Sequence, residues 1–267
     1  MTRFDIGFLG YGRMARAISA GLAQSGLIPY PRQLISGRNQ TRLAQDAADV
    51  GLTMAVDNGD LVRRSEVVIL GVKPHQIVAV LEEIRAEVGD QTFISLAAGV
   101  RLEVMRRALP AGAALIRTMP NVAALVGRGL TLMCWAGSLD QAALARARAI
   151  FESVGHCLEI DEKLFDAGGA VSGSGPAYFF TIMESLVRGA VRLGLPWDTA
   201  RAMVIQTALG SAVMAGQSGQ PLAELRDMVT SPGGTTAEAL LTLESAGLGG
   251  LLQKALEAAA EKSKKLI

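Results

Sequence analysis

Over the first 160 residues, short aliphatic and β-branched runs alternate with stretches whose apolar residues recur at helical spacing; beyond that point the alternation stops. Phe4–Leu9, Gln33–Ser36, Val67–Gly71, Thr92–Ser95, Leu115–Thr118, Leu130–Met133 and Cys157–Ile160 are predicted strands. Met14–Gln24, Arg42–Ala48, Gln76–Val88 and Gln141–Val154 are predicted helices. Strand and helix in turn imply βαβ units and a mostly parallel sheet covered on both faces. From residue 161 onward Ala/Leu-rich helices are expected to run to the end, broken at Gly173–Pro176, Gly194–Pro196, Gly216–Pro221 and Ser231–Gly234. The pattern therefore predicts an α/β chain, with a mostly parallel sheet domain over 1–160 and an all-α domain over 161–267. Helices that are apolar on most faces need partners, so a homodimer through the second domain is expected.

Composition narrows the function classes. With 50% hydrophobic and 19% charged residues in 267, the chain can bury sizeable cores and is not disordered as a whole. No apolar run is long enough to span a bilayer. The 26 basic and 25 acidic side chains are well mixed, with no basic stripe pointing to nucleic acid or a membrane surface. Lys262–Lys265 reads as a solvated helix end. Cys134 and Cys157 lie in apolar strand-like stretches and are expected to be buried, reduced thiols. The chain opens directly on a strand, so no signal peptide is expected, and a cytoplasmic location is.

The sharpest chemistry lies at the N-terminus. After the apolar strand ending at Leu9 comes Gly10-Tyr11-Gly12-Arg13-Met14-Ala15, a G-x-G-x-x-A pattern opening a helix. The first glycine permits a tight turn, the second lets backbone approach a pyrophosphate, and small Ala15 lets helix and strand pack closely. The helix N-terminus then faces the phosphates. Glycine turns also serve ordinary αβ corners, but here the turn follows a strand and opens a helix, as a dinucleotide site requires. NAD sites place an acid at the end of the second strand, yet no acidic residue lies between Asp5 and Asp46. Gly37-Arg38-Asn39 stands there instead. Arg38 can fork onto a 2′-phosphate, with Ser36 and Asn39 as further donors, so NADPH is expected, with NADH weaker.

Four other motifs sit where ligands bind or hinges form. Val72-Lys73-Pro74-His75 follows the strand Val67–Gly71; Lys73 is placed either to approach a phosphate or ribose or as a plain loop lysine, and His75 as a packing or capping residue. Ser95–Gly99 ends a strand with small residues that would let a flat ring lie against backbone. Ser172–Ala177 opens a long helix in the manner of a hinge or of a tight interdomain contact. Thr230-Ser231-Pro232-Gly233-Gly234-Thr235-Thr236 precedes a helical run, and is either an ordinary capped start or an anion pocket suited to a carboxylate.

Taken in order, G-F-L-G-Y-G-R-M, V-K-P-H, S-L-A-A-G-V, R-T-M-P-N, S-G-S-G-P-A-Y and T-S-P-G-G-T-T resemble pyrroline-5-carboxylate reductases over essentially the whole chain. The resemblance implies NADPH-dependent reduction of 1-pyrroline-5-carboxylate to L-proline, a Rossmann-type dinucleotide-binding domain over 1–160, a helical substrate-binding and dimerisation domain over 161–267, and dimers that often assemble into larger rings. It implies cofactor contacts at Leu9, Gly10, Tyr11, Gly12, Arg13, Met14, Ser36, Arg38, Asn58, Val72, Lys73 and Pro74. Ala97 and Ala98 would flank the nicotinamide, with Met119 and Asn121 lining the same region. Ser231, Gly233, Gly234 and Thr235 would hold the substrate carboxylate, and Thr236 would meet the ring nitrogen as the catalytic residue. No metal is implied. Two departures stand out. Val122-Ala123 replaces the Thr-Pro that usually follows M-P-N, which removes an expected hydroxyl near the nicotinamide, and Gly168-Gly169 replaces bulkier residues, which is expected to loosen the helix before the hinge.

Three rivals share this build: a reductase of a related cyclic imine acid, a non-catalytic NADPH-binding regulator, and a 3-hydroxyacid dehydrogenase. The last needs a lysine in the helix after the hinge, and Ala177–Val191 has none.

Overall fold

The computed structural model describes residues 3–137 and 139–265. Among them, eight strands form one sheet in the order β3-β2-β1-β4-β5-β6-β7-β8. They are β1 (Phe4–Leu9), β2 (Gln33–Ser36), β3 (Thr53–Met54), β4 (Ser65–Leu70), β5 (Thr92–Ser95), β6 (Ala114–Pro120), β7 (Gly129–Trp135) and β8 (Gly155–Glu159). The first six run parallel, β7 is antiparallel to β6, and β8 is parallel to β7. Order reverses between β1 and β4, where Leu9 pairs with Leu70. That reversal opens a crevice beyond the carboxyl ends of the two strands, the standard ligand position of open α/β sheets.

Helices cover both faces: α1 (Arg13–Gln24), α2 (Gln40–Val50), α3 (Asn58–Arg64), α4 (Ile77–Glu83), α5 (Leu102–Ala108), α6 (Gln141–Glu152) and α7 (Phe165–Ser172). Successive strand residues point to opposite faces, so each strand feeds two cores. Leu9, Val68, Leu70 and Phe93 join Leu81, Met105 and Phe165 on one side. Ile6, Phe8, Ile69 and Ile94 join Ile18, Leu22 and Phe151 on the other. This two-sided burial is why the strands read as continuous apolar runs.

The predicted strands all form: β1, β2 and β5 with the predicted ends, and β4, β6, β7 and β8 with shifted ones. Three short elements had no strong periodicity and were not predicted: β3, α3 and α5. The start of α3 was nonetheless legible, because Asp57 caps it by accepting from the Asp60 N–H at 2.6 Å. The predicted helix Gln76–Val88 is instead α4 between two 3-10 turns, Pro74–Gln76 and Arg85–Glu87. It ends at Glu83, with Ile84 as its C-cap at φ/ψ of −89°/0°.

The chain's contacts divide it into Met1–Ser174 with Ala259–Ile267, and Gly175–Ala258. By contacts alone α7 goes with the sheet's core, where Phe165 is 1% exposed. The end of the last helix also returns, with the Ser263 hydroxyl donating to Asp166 at 2.6 Å. The second unit holds α8 (Gly175–Arg192), α9 (Trp197–Ser218), α10 (Leu222–Met228), α11 (Thr235–Ser245) and most of α12 (Leu248–Lys264). No helix among the described residues is long and apolar enough to cross a membrane.

Candidate active site

The crevice is built from glycines. Gly10 turns at φ +92°, and a Cβ there would lie 2.9 Å from the Gly71 carbonyl carbon. A Cβ on Gly71 would reach within 2.3 Å of the Gly10 oxygen, so the ends of β1 and β4 touch backbone to backbone. The Gly10 N–H donates to the Ser36 carbonyl at 2.9 Å, tying the turn to β2. Gly12 differs: it starts α1, and no protein atom lies within 4 Å of where its Cβ would be. The N-terminus of α1 has neither a side-chain cap nor an acid in its first turn. Its N–H groups therefore face open space with uncompensated positive potential, which suits a pyrophosphate.

A cleft of about 550 Å³ extends from this turn. Of the residues expected at the cofactor, Leu9, Gly10, Tyr11, Gly12, Ser36, Arg38, Asn58, Val72 and Lys73 line it. At its far end the Ser36 hydroxyl donates to Asn58 Oδ1 at 2.9 Å, and Asn58 Nδ2 donates to Glu83 Oε1 at 3.0 Å. With the Gln76 amide oxygen turned toward it, the Arg38 guanidinium donates through both Nη atoms at 3.0 and 2.9 Å. Asn39 is committed locally, capping α2 by accepting from the Arg42 N–H at 3.0 Å. Three residues that sequence reasoning missed thus shape the cleft: Gln76, Glu83 and Arg42. Gln76 and Glu83, seven apart along the segment running into α4, share a face with Val80, a spacing that was readable after V-K-P-H.

The turn itself is braced from behind. Tyr11 donates to Ser19 Oγ at 2.8 Å, Ser19 donates to Gln33 Oε1 at 2.6 Å, and Gln33 donates to the Ile28 carbonyl at 2.9 Å. Burial pushes the Tyr11 phenol above its ordinary value. Arg16 lies over the Tyr11 ring at 5.3 Å and pairs with Asp46 of α2, so this cleft acid is already neutralised.

The other expected cofactor residues lie outside the cleft lining. Arg13 and Met14 open α1, and Pro74 opens the 3-10 turn before α4. Ala97 and Ala98 follow β5, where the Ala97 N–H donates to Ser95 Oγ at 3.2 Å. Met119 is the second-last residue of β6, and Asn121 spends its side chain on the protein itself. Asn121 Oδ1 accepts from the Ala123 and Leu130 N–H groups at 3.2 Å, and Nδ2 donates to the Ser172 carbonyl at 3.0 Å. It braces the strand end against α7.

The helix carrying these glycines, α7, is continuous from Phe165 to Ser172. A Cβ on Gly168 would lie 2.6 Å from Leu132 Cδ1, and one on Gly169 would lie 2.9 Å from Met119 Sδ. These residues let the helix sit down onto the sheet and leave a slot for Met119. Val122 and Ala123, where Thr-Pro was expected, begin a 3-10 turn. Arg117 of R-T-M-P-N is buried, stacked on Phe165 at 4.5 Å and paired with Glu162 at 2.9 Å. Glu162 also accepts from the Leu102 N–H at 2.7 Å. Cys134 and Cys157 are free and buried; burial above all pushes their thiols up to about 12 and about 11.

In the helical unit, the expected carboxylate turn has the same design as the first glycine turn. Gly233 sits at φ +70°, and the Gly234 N–H donates to the Ser231 carbonyl at 3.0 Å. A Cβ on Gly234 would lie 2.4 Å from Ser231 Oγ, so only glycine fits under that hydroxyl. Gly234 starts α11 without a side-chain cap, and Thr235 and Thr236 form its first turn. Ser231, Gly233 and Thr235 are exposed, whereas Gly234 and Thr236 are half-buried.

The family described as pyrroline-5-carboxylate reductase dimerisation matches residues 162–266. A reductase of that name from Pisum sativum is 37% identical over 98% of this chain and 96% of its own. The chain belongs to the pyrroline-5-carboxylate reductase family. The family described as NADP oxidoreductase, coenzyme F420-dependent, matches residues 5–99. A solved pyrroline-5-carboxylate reductase from Coxiella burnetii superposes with TM-score 0.92 at 37% identity, covering 99% of both chains. The Plasmodium falciparum enzyme, solved with NADP bound, superposes with TM-score 0.87 at 31% identity over 99% of this chain and 98% of its own. The predicted architecture, a Rossmann-type sheet followed by a helical dimerisation domain, is the architecture found.

Proposed function

We propose that this chain reduces 1-pyrroline-5-carboxylate to L-proline with NADPH. The observation that carries the reading is a pair of uncapped, glycine-started helices in one chain of this family. One, α1, opens a dinucleotide cleft holding Arg38. The other, α11, opens on hydroxyl-bearing residues fit for a carboxylate.

NADPH, when bound, supplies the hydride; the protein's contribution is placement and electrostatics. The α1 N-terminus would hold the pyrophosphate, and Arg38, Ser36 and Asn58 the 2′-phosphate, with Lys73 adding positive charge at the same cleft. Ala97 and Ala98 would lie along the nicotinamide, while Met119 and Asn121 keep the end of β6 in place beside it. Ser231, Gly233, Gly234 and Thr235 would bind the substrate carboxylate and so orient the imine carbon. Thr236 would hydrogen-bond the ring nitrogen. A threonine hydroxyl is a poor acid near neutral pH, so the proton enters with the protonated imine or through water held by Thr236.

The working state is a homo-oligomer built through the helical unit. We place the dimer as the basic form, a ring of dimers as its assembly, and a reducing cytoplasm as its compartment, which two free buried thiols suit.

The test follows NADPH oxidation with 1-pyrroline-5-carboxylate and with its six-membered homologue. Turnover with a clear kcat/KM preference for the five-membered ring is expected. Turnover confined to the six-membered ring would reassign the substrate, and none with either would remove the reading.

A further inference from the structure

We propose that Glu83 sets how strongly this protein prefers NADPH over NADH, by fixing which way the Asn58 amide points. The inference rests on the cleft binding NADP(H), as above.

An ionised carboxylate only accepts hydrogen bonds. Glu83 Oε1 therefore holds the NH₂ end of Asn58, at 3.0 Å, and turns the amide oxygen toward Ser36. The Ser36 hydroxyl, 4% exposed, must then donate to that oxygen, which it does at 2.9 Å. A 2′-phosphate also only accepts. The chain Ser36–Asn58–Glu83 thus commits the single serine proton and one amide proton away from the phosphate.

A ribose 2′-hydroxyl makes no such demand, because it can donate as well as accept. Ser36 Oγ can receive its proton without disturbing the chain. Glu83 brings into the cleft, from α4, the kind of acceptor that NAD sites carry at the end of the second strand. The same helical face carries Gln76, which occupies Arg38. This face thus weakens both donors to a 2′-phosphate.

Glutamine at position 83 can offer its own NH₂ to Asn58 Oδ1. The Asn58 amide can then reverse, donate to Ser36 Oγ, and free the serine proton for the phosphate. Glu83→Gln is expected to raise the NADPH-to-NADH ratio of kcat/KM about tenfold, the low end of one charge-assisted hydrogen bond. Calorimetric titration with NADP⁺ and NAD⁺, without substrate, should show the same shift. Glu82→Gln, an exposed neighbour outside the cleft lining, removes the same charge and should leave the ratio within about twofold. In an Asn58→Ala background, Glu83→Gln should give no gain. An unchanged or lower ratio in Glu83→Gln overturns the proposal. So does an equal gain in the Asn58→Ala background, which would mean direct charge repulsion. Wild-type protein that binds neither dinucleotide would fail the cofactor reading itself, and the inference with it.

Discussion

The sheet unit and the helical unit solve the burial problem differently. Every long strand of the first is covered on both faces, and its polar side chains are paired: Arg117 with Glu162, Arg16 with Asp46, Gln33 with Ser19. In the second, α9 runs 22 residues with only Ala200 buried, and Ile205, Leu209 and Val213 form an exposed stripe at four-residue spacing. α8 likewise leaves Phe179 and Phe180 63% exposed. One unit buries two cores of its own. The other has the surface of a subunit interface, as the match to a dimerisation domain requires.

The largest effect that would break this contrast is a charge on the stripe. Leu209→Asp would leave a carboxylate buried and unpaired in the assembly, costing about 3–5 kcal/mol. Sedimentation should show dissociated chains with little turnover, while NADP⁺ binding by the sheet unit persists. An unchanged mass would show that the stripe faces solvent.

Next in size is the cofactor end. Arg38→Asp removes a charge-assisted contact worth about 1.5–3 kcal/mol, so KM for NADPH should rise roughly ten- to a hundredfold with little change for NADH. Equal losses for both would place Arg38 outside the 2′-phosphate site. The corresponding change in the helical unit is smaller. Thr236→Ala should lower kcat about tenfold by removing one neutral hydrogen bond, with NADPH affinity intact.

An effect on stability alone, with turnover untouched, sharpens the account of packing in the sheet unit. Gly168→Ala would press against Leu132, and overpacking of this kind costs about 1–3 kcal/mol. Thermal unfolding should register it, whereas a helix merely loosened by glycine would be stabilised by the same substitution.

How much of this was readable in advance depended on whether the signal was local. The G-x-G-x-x-A turn, the acid-free stretch through Arg38 and the Ser231–Thr236 turn all rest on residues adjacent in sequence, and their backbone geometry follows from glycine and helix-capping rules. The role of Gly168 and Gly169 did not, because nothing near them in sequence reveals that Leu132 and Met119 fill the space beside them. The three bonds of the Asn121 side chain to Ala123, Leu130 and Ser172 were not legible either, because they exist only once β6, β7 and α7 are assembled. α3 and α5 are seven residues each, too short for periodicity to announce.

By itself, the sequence determined the alternation of elements, the two glycine turns and the chemistry of the residues beside them, since each depends on short-range sterics and side-chain type. Only the tertiary structure decided which donors are free. Arg38 meets Gln76, and Ser36 meets Glu83 through Asn58, because α3 and α4 bring residues more than twenty positions apart into one cleft. Hydrogen-bond direction at such a junction is set by every partner at once, and no local pattern encodes it.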